Sequence, residues 1–376
     1  MKILLVYDNV SITGGGSQLA VFNWLKNLNK KGVEAKILIN DAFKKYIQKD
    51  LRDKVIFNES FHLNFLYPNY SLSLRLNQDT KQEILKFQPQ IIHLNEPSLI
   101  SLQLINLAKK HNIKVISSFH TDYGKAKVNS FPLSLFFRPN GLFNKIIKNQ
   151  QNKILKKSDY ITTPSLAFKT KVLKEINKSA FFLPYPINHY FFKPSWQIIN
   201  KPKKIITISR LSGEKNIGIL IEMMRFLRKE YILTIVGDGI DRKFLQKKVK
   251  ELKLDQCINF IGWIKNNNLP KIIKNHHIFI STSTYETFGI TYIEALACGL
   301  PLIIFDSPVA KEIVPSDMAI FINSLEPKIW ADQIINIDGI LYQKLRNNIQ
   351  KNYYKINQYN EIESTNKLIE IYNNVL

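Results

Sequence analysis

Between Ser281 and Ile303 the chain sets two glutamates, Glu286 and Glu294, with Phe288-Gly289-Ile290 after the first and Cys298-Gly299-Leu300-Pro301 after the second. The residue types predict a strand ending near Ser281, a loop carrying Glu286, and a helix that begins near residues 287–289 and stops at Gly299, with Pro301 barring its continuation. Free N–H groups at such a helix start receive a diphosphate or a sugar hydroxyl. Glu286, just ahead of it, accepts hydrogen bonds from hydroxyls, and Glu294 reaches a ribose if its face borders a cleft. Either glutamate alone reads as an ordinary cap or surface residue; the whole string is what points to a site. A second group is Arg210 and Lys215, in Ser209-Arg-Leu-Ser-Gly-Glu-Lys-Asn216. Two fixed cations there would neutralise a departing nucleoside diphosphate as its charge develops; a solvated loop is the other reading of such a pair. His120-Thr121-Asp122 and Gly14-Gly15-Gly16 complete the set. Glycine lets backbone approach a ligand closely, although many turns use a glycine cluster, and a buried, satisfied histidine is the general default.

The elements that must position these residues alternate. An apolar run at residues 2–7, the glycine cluster and a helical pattern through Leu19, Phe22, Trp24, Leu25 and Leu28 form the opening of a βαβ unit. Further strands are expected at 35–39, 91–94, 114–119 and 160–163, so His120 and its neighbours follow a strand end. After a proline-bearing stretch at 183–194 the pattern restarts, with strands at 204–209, 231–236, 258–261, 277–281 and 302–305. The fold class is α/β: two Rossmann-like doubly wound domains facing a cleft at the carboxyl ends of their sheets. The expected boundaries are a first domain at 1–187, a linker at 188–203, a second domain at 204–355, and a final helix in 356–376.

The string around Glu286 and Glu294 resembles the signature of the family 4 retaining glycosyltransferases of the GT-B fold. The resemblance is nearest to lipid-directed members that form glycolipids or mannosylate lipid anchors. It implies that Glu286 contacts the transferred sugar, Glu294 the ribose, and the backbone of Gly289 and Ile290 the donor, with Arg210 and Lys215 as the diphosphate clamp. Gly213 stands where relatives often carry proline. Gly237-Asp238-Gly239 and Phe260-Ile-Gly262-Trp263-Ile264 resemble further family segments. Gly15 and Gly16 match the glycine loop near the diphosphate, and His120 matches a histidine beside the reacting sugar, with Thr121, Asp122 and Tyr67 on the acceptor side. The implied reaction is hexosyl transfer from a nucleotide sugar, UDP-hexose ahead of GDP-mannose, by front-face attack and without a cofactor or metal. No metal-ligand spacing is visible in the sequence, and nothing resembles a Walker loop.

Composition limits the alternatives. With 376 residues and 45% hydrophobic content the chain reads as two packed domains. Two cysteines, Cys257 and Cys298, suit a reduced cytoplasmic protein, and no apolar run is long enough to span a membrane. The net charge of +23 is uneven: 28 basic against 12 acidic residues through Tyr185, and 25 against 18 after it. Between Lys125 and Lys157 there are eight basic residues and no acidic one. Leu142, Phe143, Ile146, Ile147, Ile154 and Leu155, interspersed with Lys145, Lys148, Lys153, Lys156 and Lys157, suit a basic amphipathic helix on an anionic membrane. The same spacing suits a helix packed on its own domain. Together with the resemblance to lipid-directed members, this makes the expected partners a nucleotide sugar, a lipid acceptor of diacylglycerol type and the inner face of the cell membrane. A polysaccharide or lipopolysaccharide acceptor is the alternative. A nucleic-acid-binding protein, the reading from another class, lacks any recognition motif and is not expected.

Overall fold

The computed structural model describes residues 1–8, 15–62, 71–122, 142–196 and 203–376. In order, the first unit carries β1 (Lys2–Val6), α1 (Gly16–Lys30), β2 (Glu34–Asn40), β3 (Val55–Asn58), the short antiparallel pair β4 (Phe61–His62) and β5 (Ser71–Leu72), and α2 (Gln78–Phe87). There follow β6 (Ile91–Leu94), α3 (Ser101–Lys110), β7 (Lys114–Ser118), α4 (Leu142–Lys157), β8 (Tyr160–Thr163), α5 (Leu166–Ile176) and β9 (Phe181–Phe182). Seven of these strands form one parallel sheet, ordered β3-β2-β1-β6-β7-β8-β9.

The second unit carries β10 (Lys204–Ile208), α6 (Ile217–Met223), β11 (Ile232–Val236), α7 (Arg242–Glu251), β12 (Ile258–Gly262), α8 (Leu269–Ile273) and β13 (Ile278–Ser281). Then come α9 (Ile290–Ala297), β14 (Leu302–Phe305), α10 (Pro308–Ile313), β15 (Ala319–Ile322), α11 (Pro327–Ile335), α12 (Gly339–Lys351) and α13 (Tyr353–Asn357). Its sheet is also parallel, ordered β12-β11-β10-β13-β14-β15. The last helix, α14 (Glu361–Val375), belongs to the first unit, which comprises residues 1–186 and 361–376; the second comprises 187–360.

Strands covered on both faces by helices must be apolar throughout rather than alternating. Ile3, Leu4 and Leu5 of β1, and Phe279 and Ile280 of β13, are fully buried accordingly. Of the two parallel sheets, the three strands absent from the sequence expectation, β3, β9 and β15, are all at sheet margins. A margin strand has one neighbour, needs fewer apolar residues, and so leaves a weaker signal. Helix α1 buries one stripe, Ala20, Val21, Trp24, Leu25 and Leu28, at helical spacing. Trp24 is fixed further: its Nε1 donates to Ser364 Oγ of α14 at 3.0 Å, and Ser364 Oγ donates to the Pro184 carbonyl at 2.6 Å.

Residues 188–203 were expected as a linker, but the described part of that stretch is built into the second unit. Phe191 is fully buried, Ile187 bridges to Asn360, and Cys298 Sγ donates to the Phe191 carbonyl at 3.7 Å. The prolines fix an extended path against the domain rather than mark a free hinge. Residues 197–202 lie outside the described residues. Both cysteines are buried and free. Among the described residues no helix is long and apolar enough to cross a membrane.

Candidate active site

In the second sheet the order of connection reverses between β10 and β13, and ligands of open α/β sheets bind outside the strand ends at such a point. The loops leaving these two strands carry the residues singled out in the sequence. Lys215 Nζ donates to Glu286 Oε1 at 2.6 Å and to Ser283 Oγ at 3.3 Å; both members of the ion pair are largely buried. The loops are tied through backbone as well: Asn216 Nδ2 donates to the Thr282 carbonyl at 3.1 Å, and Thr282 Oγ1 to the Lys215 carbonyl at 3.0 Å. The pair is thus held by the frame and not only by its own attraction. Arg210 shares the first loop but points outward, its side chain 71% exposed and 3.4 Å from Glu214. Charge at this site is therefore part fixed and part available.

Gly289 caps α9 with φ of +77°, and a Cβ there would lie 2.5 Å from the Tyr292 ring. Only glycine takes that conformation freely in that space, which is why the helix starts at Ile290 rather than within residues 287–289. Gly237, with φ of +129°, has a similar reason: a Cβ would meet the Ser209 carbonyl oxygen at 1.9 Å. The glycine turn after β11 is thereby pressed against the arginine loop.

Glu294 is buried at 4% exposure, and its Oε1 accepts from Asn266 Nδ2 at 3.0 Å. Burial pushes its carboxyl up to about 8, an effect the Asn266 hydrogen bond partly offsets. Asn266 is held in turn at its Oδ1 by Asn188 Nδ2 at 2.9 Å and by the Tyr190 hydroxyl. Sequence reasoning missed this chain, because Asn188 and Tyr190 sit in the stretch expected to be a linker.

In the first unit His120 follows β7 and is 7% exposed. Its Nδ1 lies 2.8 Å from the Tyr185 hydroxyl, and its ring stacks at 6.4 Å on Trp24. Burial holds it down at about 3, so the ring is neutral near pH 7. The Thr121 carbonyl accepts from Gln151 Nε2 at 2.7 Å, and buried Asp122 is ion-paired with Lys171. Gly15 caps α1 and Gly16 opens it; Gly14 and Tyr67 lie outside the described residues. Sequence reasoning also missed His93 on β6, buried between the Tyr372 hydroxyl and Ser118 Oγ, each at 2.8 Å. Asp8 at the end of β1 was missed too. Burial raises its carboxyl to about 6, and Ser73 Oγ donates to its Oδ1 at 2.6 Å.

Residues 190–356 match the family model described as Glycosyl transferases group 1, and residues 14–180 match that described as Glycosyltransferase Family 4. The chain belongs to the family 4 glycosyltransferases. It is similar to the α-monoglucosyldiacylglycerol synthase of Acholeplasma laidlawii, 27% identical over 64% of this chain and 65% of the relative. It is similar also to the synthase of that name from Streptococcus pneumoniae, 26% identical over 68% of this chain and 58% of the relative. The chain thus spans less than two thirds of the length of both. Its fold is shared with Anabaena HepE, solved with UDP and glucose, at a TM-score of 0.75 and 16% identity over 99% of each chain.

For this glycosyltransferase the five lysines of α4 divide. Lys145, Lys153, Lys156 and Lys157 are exposed, whereas Lys148 is half-buried and pairs with Glu175 at 3.3 Å. Ile154 and Leu155 are buried in their own unit and Ile146 is 53% exposed. The apolar side of the C-terminal half of α4 therefore packs inward, which corrects the reading of Ile154 and Leu155 as membrane-facing. Residues 125–141 lie outside the described residues.

Proposed function

We propose that this glycosyltransferase moves a hexose from UDP-hexose to a membrane lipid of diacylglycerol type, with retention of anomeric configuration and without a bound metal. The observation that carries the reading is the Lys215–Glu286 pair at the switch point of the second sheet, with Arg210 on the same loop. Lys215 and Arg210 supply the positive charge that a metal would otherwise provide to the leaving diphosphate. Glu286 accepts from hydroxyls of the transferred hexose, and Gly289 and Ile290 offer the backbone N–H groups of the α9 start to the donor. Glu294, buried and largely protonated near pH 7, takes the ribose with Asn266 beside it. His120 contacts the hexose, and the acceptor side includes Thr121 and Asp122. The leaving diphosphate takes the acceptor proton in front-face attack, so no side chain is needed as nucleophile.

The lipid acceptor is supported by the two diacylglycerol-glucosylating relatives, and uridine by the neighbour solved with UDP. The exposed lysines of α4, on the more basic half of the chain, support docking on the inner, anionic face of the cell membrane. The test is transfer from UDP-glucose and competing nucleotide sugars to diacylglycerol in anionic vesicles, with the product anomer read by NMR. An α-linked glycolipid is expected. An inverted product overturns retention, and full activity on a water-soluble sugar without lipid overturns the acceptor.

A further inference from the structure

Trp24 lies between two buried histidines, stacked on His93 at 6.5 Å and on His120 at 6.4 Å, with interplanar angles of 21° and 26°. The plane of His120 is thereby set, and so is one of its nitrogens. Tyr185 OH lies 2.8 Å from Nδ1, and the two rings tilt at 44° with centroids 5.1 Å apart. The tyrosine is itself 3% exposed, and the carbonyl of the preceding Pro184 is held by Ser364 of α14. The other nitrogen, Nε2, is buried and has no hydrogen-bond partner among the described residues.

We propose that Tyr185 is the positioning residue that sets the proton polarity of His120. Its phenolic O–H donates to Nδ1, which places the imidazole proton on Nε2 and makes Nε2–H a fixed donor to a hydroxyl oxygen of the transferred sugar. This rests on the placement of His120 beside that sugar. A phenol donates well and accepts poorly, because its lone pairs are shared with the ring, whereas an unprotonated imidazole nitrogen is a strong acceptor. The bond made by one ring nitrogen then decides which nitrogen keeps the proton. With burial holding the ring neutral, one proton is available, and it is on Nε2. A buried N–H without a partner is costly until a hydroxyl arrives. The site is thus arranged to reward an occupant that brings an acceptor oxygen to that point. His120 in this account donates; it does not remove the proton of the attacking hydroxyl, which leaves that proton to the departing diphosphate.

The test uses the full chain labelled with ¹⁵N-histidine, with the His120 resonances assigned through His120→Gln. Long-range ¹H–¹⁵N correlation near pH 7 is expected to show a protonated Nε2 and an unprotonated Nδ1. In Tyr185→Phe the tautomers should redistribute and kcat fall about tenfold, the scale of one neutral hydrogen bond, with KM for the nucleotide sugar little changed. Thermal melts and circular dichroism establish that the variants are folded. His120→Gln, whose amide can donate, should retain more turnover than His120→Ala. A proton on Nδ1 in the unmodified protein, or an unchanged tautomer and turnover in Tyr185→Phe, overturns the proposal itself. Undiminished turnover in His120→Ala overturns instead the placement on which it rests.

Discussion

The Lys215–Glu286 pair of the second unit and His120 of the first are held in opposite electrostatic states. In the second, Lys215 and Glu286 are a charged pair with side-chain exposures of 15% and 17%, and Arg210 stands out in solvent. In the first, His120 is buried and neutral under Trp24 and beside Tyr185. A group that must meet changing charge on a phosphate needs a charge of its own, and in the largely buried pair Lys215 keeps that charge through its partner Glu286. A group that only reads a hydroxyl gains from burial, which fixes its tautomer and excludes water from its hydrogen bond. On the proposed roles, the difference in charge between the two sites matches the kind of ligand atom each would meet.

The comparison is broken most easily at Glu286. Glu286→Ala is expected to lower transfer by about two to three orders of magnitude, the scale seen when a preorganised polar contact to a reacting group is lost. Radiolabelled hexose transfer measures it, with circular dichroism as the folding control. Near-native turnover in the folded variant removes Glu286 from the site.

Lys215 and Arg210 sharpen the comparison. Lys215→Ala strands the Glu286 carboxylate and should cost about 3 kcal/mol of stability, as well as affinity for the nucleoside diphosphate. Arg210→Ala, at an exposed position, should weaken that affinity while leaving the melting temperature nearly unchanged. Calorimetry with UDP and thermal melts of both variants separate the effects; identical behaviour would mean the arginine is no more available than the lysine.

The units should also answer pH differently. Burial raises the Glu294 carboxyl from 4.5 to about 8, so the folded second unit binds a proton there that the unfolded chain releases, and the stability this contributes is lost as pH rises from about 4.5 to about 8. Near pH 6.5 this loss is expected to approach about 1.4 kcal/mol per pH unit, falling to about half that at pH 8, and to vanish in Glu294→Gln. The buried histidines of the first unit run the other way below pH 6.5. His93 and His120 are both held at about 3, so neutral rings are favoured on folding, and that stability is lost as pH falls from 6.5 toward 3. Asp8, raised from 3.8 to about 6, offsets part of this between those values. In the second unit His276 and His277 are also lowered, and so oppose Glu294 below pH 6.5. Urea unfolding at a series of pH values, read by hydrogen exchange in each unit, tests the difference. Parallel pH profiles for the two units above pH 6.5 would refute it.

The smallest effect belongs to the outer surface of the first unit. Changing Lys145, Lys153, Lys156 and Lys157 together to Gln should reduce binding to anionic vesicles by about 1 kcal/mol per lysine at most. Lys148→Gln alone should change it least, because Glu175 already engages that charge. Flotation at rising salt reads both, and binding that ignores salt or the substitutions rejects the electrostatic account.

Much of this was legible in residue order. Ten strands of the two parallel sheets can be read from apolar runs, because a strand buried on both faces must be apolar throughout. The Glu286 string and the Arg210–Lys215 loop were also readable, because each is a contiguous segment at a strand end. Three of the four margin strands, β3, β9 and β15, were not, since a strand with one neighbour carries little pattern. Asn188 and Tyr190 were hidden for a different reason: three nearby prolines look the same in a hinge and in a strap bound to its domain.

The sequence by itself determined the two α/β units, the strand-end positions of the candidate residues and the surplus of positive charge. Tertiary structure decided their partners and protonation. That Lys215 meets Glu286, that Asn266 meets Glu294 and that Tyr185 meets His120 depends on contacts between residues 71, 28 and 65 positions apart, fixed by the sheets and loops that carry them. Burial then settles which groups are charged, because desolvation depends on everything packed around a side chain and on little that its neighbours in sequence reveal.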